Sequence, residues 1–594
     1  LATMEESEQR LSKTKALAVF SSDALSSVAY ATEAILFTLA VAGPEHFWLV
    51  LPISGVIVAI LFVVAVSYRQ TITAYPNGGG SYIVAKENLG TLPGLIAAAA
   101  LLVDYVLTVS VSVAAGVAAL ISAFPALENR TLWSLVAIAL VMLVNLRGIK
   151  ESGTIFAIPT YVFVIGMIGL IAVGLGEFAL GQSPRVADVT AVASGGQALG
   201  ALLILRAFAD GCSAMTGVEA ISNGVPAFKR PEPINARTTL AAMAILLGTM
   251  FIGISVLSML AGSIPSEHET ILSQITRAIF GTGPVYYVLT LATTSILILA
   301  ANTSFADFPR LASLLAKDRY MPSRFAFRGE RLAFSAGIVA LAVLAGVVVA
   351  AFAGRVEALI PLYAIGVFTC FTLSQAGMVV HWRRDGGPGW RRRATVNGIG
   401  AVATAIVALI FAIAKFALGA WIVIIIIPLL VGLMAAIHHE YARASEELDV
   451  SERSVIRRPH RRQTAYVPMT DLRRDVVHAV RFGQTLSDEV VGIFVTDDPG
   501  AGEALRKRMA RQLPGVRLVV VESPYRELVA PLVRYLEQAA KVDPESVSVL
   551  LLPEYVQRHW WERFLYNSNQ DRIRRALLGN KRILVANVPY RRPA

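Results

Sequence analysis

The chain has 594 residues, 55% of them hydrophobic and 16% charged. Apolar runs of about 20 residues recur over the first three quarters, which marks a polytopic membrane protein and excludes an ordinary soluble enzyme. The formal net charge of +11 is not a nucleic-acid signal, because Lys and Arg lie mainly in loops and in the C-terminal quarter, as orientation signals do.

The polar start, LATMEESEQRLSKTK, leads straight into a full-length apolar run and does not read as a removable signal peptide. Twelve membrane spans are predicted, at 16–42, 47–68, 92–124, 131–147, 157–178, 197–223, 237–262, 284–315, 334–353, 357–380, 397–416 and 418–438. Cations concentrate in alternate loops, among them Lys13, Arg69, Lys86, Lys150, Lys229, Arg310, Lys317 and Arg391–Arg393. The opposite loops hold fewer, such as Arg130, Arg185, Arg277, Arg355 and Lys415. This asymmetry predicts that both termini are cytoplasmic. Cys212 and Cys370 both fall in spans, so no disulfide framework is expected.

The first span, Ala16 to Thr38, is interrupted by Ser21-Ser22-Asp23-Ala24-Leu25-Ser26-Ser27. A carboxylate at membrane depth costs roughly 2.5–3.5 kcal/mol on insertion scales. Polar breaks are tolerated where they line a cavity, and transporters build ion sites from them. The bland alternative is a Ser/Asp cluster that holds helices together.

The sixth span repeats the pattern. Phe208 precedes Asp210-Gly211-Cys212-Ser213-Ala214-Met215-Thr216-Gly217, and the run resumes as Val218-Glu219-Ala220-Ile221. The first span resumes as Thr32-Glu33-Ala34-Ile35. Five spans separate the two starts, and an odd number inverts the second copy. The expected architecture is a 5+5 inverted repeat with broken helices 1 and 6, followed by two further helices.

Between spans two and three, Asn77-Gly78-Gly79-Gly80 permits close backbone approach or a hinge, or forms a plain turn. In span three, Tyr105, Thr108 and Ser112 share one helix face, with Asp104 beside it. Such a stripe is either interhelical glue or a set of neutral oxygen ligands for a weakly held cation. Tyr363, early in span ten, is either an interface anchor or an inward-pointing gate. The segment Asn223–Asn235, rich in proline and cations, reads as a linker.

After about residue 440 the pattern changes. Strand-like runs at 464–468, 490–496, 516–521, 547–553 and 583–588 alternate with helical stretches such as Arg526–Lys541 and Trp560–Leu578. They predict a doubly wound α/β domain with a parallel sheet. The domain plan is a transporter unit at 1–440, a linker at 441–462 and an α/β unit at 463–594. The stretch Pro553–His559 after the fourth strand has no glycine, which disfavours a phosphate loop and an ATP-using enzyme. His559, Trp560 and Trp561 read as packing.

The runs SSDALSSVAYATEAI, YPNGGGSYIVAKENLG, LLVDYVLTVSVS, GCSAMTGVEAISN and IPLYAIGVF occur in order. Together they resemble KimA-type potassium importers of the KUP family, in the amino acid–polyamine–organocation superfamily. The likeness covers nearly the whole chain. It implies a LeuT-like fold in the bacterial plasma membrane, proton-coupled K+ uptake, and no enzyme activity. It also implies a homodimer formed through a cytoplasmic domain resembling universal stress proteins. Its cation and proton residues carry over onto Asp23, Tyr30, Asp104, Tyr105, Thr108, Ser112, Thr216, Glu219 and Tyr363. Asp210 departs from the pattern and reads as an additional carboxylate near the path. Cyclic di-AMP is the regulator expected of bacterial potassium importers, with no site placed for it here.

The resulting expectation is a K+:H+ symporter without a resident cofactor, whose partners are K+, protons and the lipid bilayer. Asp23, Tyr30, Tyr105, Thr108, Ser112 and Thr216 would hold K+, Glu219 and Asp104 would couple protons, and Tyr363 would gate. The nearest rival is an amino-acid or polyamine permease of the same superfamily. A carboxylate at Asp23 would repel a substrate carboxylate but attract an ammonium. A non-transporting sensor acting through the α/β domain is the rival from another class.

Overall fold

The structure is a computed structural model. It describes residues 10–76, 78, 80–147, 153–182, 184–186, 196, 198–266, 268–326, 334–448, 463–523, 528–542, 547–555, 569–577, 579–580 and 582–591. His559, Trp560, Trp561, Asn77, Gly79 and most of the 441–462 linker lie outside the described residues. The chain forms two compact units, 1–449 and 450–594.

In the first unit the break in the opening span is explicit. It is three helices, α1 (Lys13–Phe20), α2 (Ser22–Ser26) and α3 (Val28–Ala40). Then come α4 (Val50–Ala74), α5 (Ser81–Leu89), α6 (Thr91–Ala123), α7 (Arg130–Leu146) and α8 (Gly153–Ala179). The second broken span is α9 (Ala201–Gly211), a 3-10 turn at Cys212–Met215, and α10 (Ala220–Asn223). The unit closes with α11 (Glu232–Leu260), α12 (Ile271–Phe280), α13 (Pro284–Lys317), α14 (Ser335–Ala351), α15 (Val356–Asp385), α16 (Trp390–Ala414) and α17 (Ala420–Leu448).

Among the described residues, nine helical stretches are long and apolar enough to cross a membrane. Three of the twelve expected spans are not among them. One is the broken opening span. The others are α7 and α14, each of 17 residues, which at 1.5 Å per residue reach about 25 Å, short of a hydrocarbon core of about 30 Å. The amphipathic α12 was not foreseen, because Ser273, Gln274, Thr276 and Arg277 interrupt its apolar run. The segment read as a linker after α10 is tied back. Leu11 N–H donates to Ala227 O at 2.8 Å, and Phe20 stacks on Phe228.

Helix α6 runs through the middle of this unit. Most of its side chains are buried, and it packs against α5, α7, α13, α14, α15 and α17. Its hydroxyl stripe therefore faces protein.

The second unit is a five-stranded parallel sheet of order β3-β2-β1-β4-β5. The strands are β1 (Gln463–Met469), β2 (Glu489–Thr496), β3 (Arg517–Glu522), β4 (Val547–Tyr555) and β5 (Ile583–Tyr590). Each covers the strand read from sequence to within two residues. Helices α18 (Arg474–Leu486) and α19 (Pro499–Gln512) pack on one face with Ala465, Val467 and Leu551. Helices α20 (Val529–Val542) and α21 (Asn569–Leu577) pack on the other with Tyr466, Leu550 and Leu552. Alternate residues of one strand enter opposite cores, as a sheet covered on both faces requires. Of the predicted helix over Trp560–Leu578, only Asn569–Leu577 lies among the described residues.

Candidate cation site

The first break is built by serines. Ser26 Oγ donates to Asp23 O at 2.8 Å, and Ser27 Oγ to Ala24 O at 2.6 Å. Such local bonds compete with the helical ladder. Ser27 Oγ also lies 3.0 Å from Ala214 O in the second break, so the two breaks are joined. Ser22 Oγ lies 3.3 Å from Thr303 Oγ1 on α13.

The Asp23 carboxylate is 6% exposed. Its Oδ1 has no hydrogen-bond partner among the described residues. It lies against the backbone at Gly217, where φ is +76°. A Cβ there would sit 2.8 Å from Asp23 Cγ and 2.9 Å from Ala24 N. Both the left-handed conformation and the close approach require glycine.

Beyond Gly217, Glu219 is also buried and accepts a bond from Ser81 Oγ at 3.0 Å. Tyr68 Oη lies 3.4 Å from the same Ser81 oxygen. With the Ser81 proton committed to Glu219, the tyrosine hydroxyl is left to donate. Ser81 begins α5, directly after the glycine loop. A Cβ on Gly80 would fall 3.0 Å from Asn223 Oδ1. The loop therefore makes the close backbone approach, against the end of α10.

The α6 stripe completes the set. Thr108 Oγ1 donates to Tyr363 Oη on α15 at 3.0 Å, and Tyr363 is fully buried, which resolves it as inward-pointing. Tyr30 Oη, Asp104 Oδ1 and Ser112 Oγ are buried without a partner among the described residues. Thr216 Oγ1 donates to Ser213 O at 3.1 Å. Unpaired buried oxygens cost roughly 1–3 kcal/mol each. A cation that shed its water here would satisfy several at once.

Two cavities reach this set from opposite ends. One of about 360 Å³ is lined by Tyr105 and Asp307 together with Gly78, Gly80, Arg310 and Lys317. The other, about 30 Å³, is lined by Tyr30, Glu33 and Glu357.

Asp210, expected as an additional carboxylate near the path, has its own partner. It does not join the other carboxylates. Lys415 Nζ lies 2.6 Å from its Oδ2, Thr38 donates to the same oxygen, and both charged side chains are buried. Lys415, read as a loop cation, is its counter-ion. Removing one member of a buried pair leaves an uncompensated charge, at roughly 3–5 kcal/mol. Lys415→Met should thus lower the unfolding midpoint in detergent markedly, and adding Asp210→Leu should restore most of it. An unchanged midpoint in Lys415→Met would refute the structural role.

The family model described as Amino acid permease matches residues 11–435, and the KimA potassium transporter C-terminal domain matches residues 460–590. The potassium transporter KimA of Bacillus subtilis (strain 168) is 44% identical over 595 residues, covering 99% of this chain and 97% of that protein. The chain belongs to the KimA potassium transporter family. Among solved structures, a manganese transporter from Eremococcus coleocola covers 72% of this chain and 96% of its own at 15% identity, with a TM-score of 0.39.

Two groups beside these carboxylates were not among the expected site residues. Asp307, on α13, is 7% exposed. Its charge acts on Asp23, Glu219 and Tyr105, and Arg310 Nη1 stands 3.8 Å away. The signal was present, since a carboxylate inside a span is a functional candidate by default. The residue falls inside the predicted span 284–315 but in none of the runs that carry the resemblance. Ser81 carried no signal, because its role exists only through contact with α10.

Proposed function

We propose that the chain imports K+ together with protons by alternating access. The observation that carries this reading is a group of buried carboxylates within electrostatic reach, Asp23 and Glu219 at the two joined helix breaks, Asp104 on α6 and Asp307 on α13, with unpaired oxygens on Asp23, Tyr30, Asp104 and Ser112. A K+ site replaces the hydration shell with oxygens and must still release its ion. Asp23, Tyr30, Tyr105, Thr108, Ser112 and Thr216 hold the cation in this reading, and Tyr363, bonded to Thr108, closes one side. One cavity runs from Tyr105 and Asp307 to Arg310 and Lys317, which supports a form open toward the cation-rich loops. Burial favours a neutral carboxyl and a nearby cation favours an ionised one. Glu219, with Asp104 and Asp307 in reach, exchanges its proton as K+ arrives.

The same proposal takes the membrane unit as a LeuT-like 5+5 inverted repeat of twelve spans with broken helices 1 and 6. It counts α1–α3, α7 and α14 as spans despite their length, and it places both termini in the bacterial cytoplasm. The α/β unit is proposed as a regulatory and dimer-forming domain resembling universal stress proteins. Doubly wound sheets hold ligands where the strand order reverses, here between β1 and β4. That crevice is the place we assign to a regulator such as cyclic di-AMP.

The permease model over residues 11–435 favours one second reading, transport of a polyamine. An amino-acid substrate fits less well, because Asp23 would repel its carboxylate. Rubidium uptake into proteoliposomes under a proton gradient separates these readings. We expect K+ to compete and spermidine not to. Thr108→Val removes one oxygen at similar volume, and should weaken rubidium transport about 5- to 150-fold, corresponding to roughly 1–3 kcal/mol. It should also change the rubidium-to-caesium ratio. Competition by spermidine and none by K+ would overturn the potassium reading.

A further inference from the structure

A third cavity lies apart from the carboxylates of the cation site. It measures about 280 Å³ and is lined by Val66, Arg69, Gln70, Thr73, Arg237, Trp382 and Arg393. Four helices contribute to it at one end of the bundle. Arg69 comes from near the end of α4, Arg237 from the start of α11, Trp382 from the end of α15 and Arg393 from the first turn of α16. Three guanidinium groups share the lining, and no carboxylate lies among them.

The donors here are left over. Trp382 is 5% exposed, and its indole N–H has no partner among the described residues. The Arg237 Nε–H is likewise buried without an acceptor. Arg393 lies over the Trp382 ring, 4.8 Å from its centroid. That stacking holds the guanidinium in place and leaves its N–H groups free to point at a ligand. Gln70 Oε1 accepts from Asn397 Nδ2 at 2.7 Å, so what Gln70 has left to offer is the donor end of its amide. Arginine and tryptophan donate and do not accept. A group of oxygens carrying negative charge satisfies all of them together.

The surroundings favour an amphiphile over a free ion. Val66, in the cavity wall, is 45% exposed, and Phe62 lies one turn below it on α4 at 42%. On α16, which packs against α4, Ile399, Val402 and Ile406 are exposed further along the helix from Arg393. These surfaces belong to spans and face lipid. Basic pockets between spans at the membrane interface are suited to anionic headgroups.

We propose that this cavity binds a phosphate group, the chemistry that phospholipid headgroups and inorganic phosphate share. The apolar strip below it assigns the phosphate to an anionic lipid, whose acyl chains lie along α4 and α16. The site is separate from the cation path and does not depend on what that path carries.

The test uses the full-length protein in detergent. Native mass spectrometry counts retained lipid after titration with phosphatidylglycerol or phosphatidylcholine, and thermal unfolding is followed with either lipid or with inorganic phosphate. The variants are Arg69→Gln/Arg393→Gln, both exposed and remote from the core, and Trp382→Phe, which keeps the stacked ring and removes the N–H. We expect the unmodified protein to retain phosphatidylglycerol over phosphatidylcholine, the double variant to lose at least tenfold of that preference, and Trp382→Phe to lose less. An arginine-dependent shift with inorganic phosphate, without any lipid preference, would keep the anion site and assign it to the free ion. Equal lipid retention in all proteins, with no phosphate effect, would overturn the site.

Discussion

Asp23→Asn is expected to abolish rubidium uptake in proteoliposomes while the protein still folds. The two side chains have the same shape, so the packing against Gly217 survives. What changes is charge. Asp23 sits where two helix breaks meet, and its Oδ1 has no bond to lose. A dehydrated monovalent cation at this depth needs a formal negative charge close by, because the hydration it surrenders is large. Losing one partner of a buried charge pair costs roughly 2–5 kcal/mol, or about 30- to 4,000-fold in binding. The measurement is the initial rate of uptake, normalised to protein that elutes as a single species with an unchanged unfolding midpoint. Uptake at the unmodified rate would remove Asp23 from the site.

The sequence displayed this carboxylate because the chemistry and the conformation occupy the same few residues. In SSDALSS the serines break the helix, and the aspartate stands within the break. The same holds for the glycine and threonine of the second break. The α/β unit was legible for a similar reason, since each strand is a short β-branched run bounded by turns. Groups that depend on tertiary partners were hidden. Asp210 looked like a transport carboxylate because Lys415 is 205 residues away in the chain. Asp307 lies inside the predicted span 284–315 but in none of the motifs. Ser81 is one serine among many until α5 is laid beside α10. The predicted spans at 131–147 and 334–353 match α7 and α14 to within two residues, and each helix is 17 residues long, at the short end of what crosses a bilayer.

Glu219→Gln is expected to separate K+ movement from proton movement. Gln preserves the volume, and its amide oxygen accepts the Ser81 bond that Glu219 accepts at 3.0 Å, so the link from Tyr68 through Ser81 to α10 is kept. It cannot take up or release a proton in the working pH range. A neutral group fixed at this position mimics the protonated carrier throughout the cycle. Adding K+ to proteoliposomes loaded with a pH-sensitive dye should acidify the lumen in the unmodified protein and leave it unchanged in the variant. Rubidium exchange at equal pH on both sides, which needs no net proton transfer, should be reduced far less than uptake driven by a proton gradient. That split distinguishes a lost carrier from a distorted cation site, which would depress both. Proton entry that persists unchanged in Glu219→Gln would transfer the role to another buried carboxylate. Asp307 then comes first, because it lines the larger cavity and its charge reaches both Asp23 and Glu219.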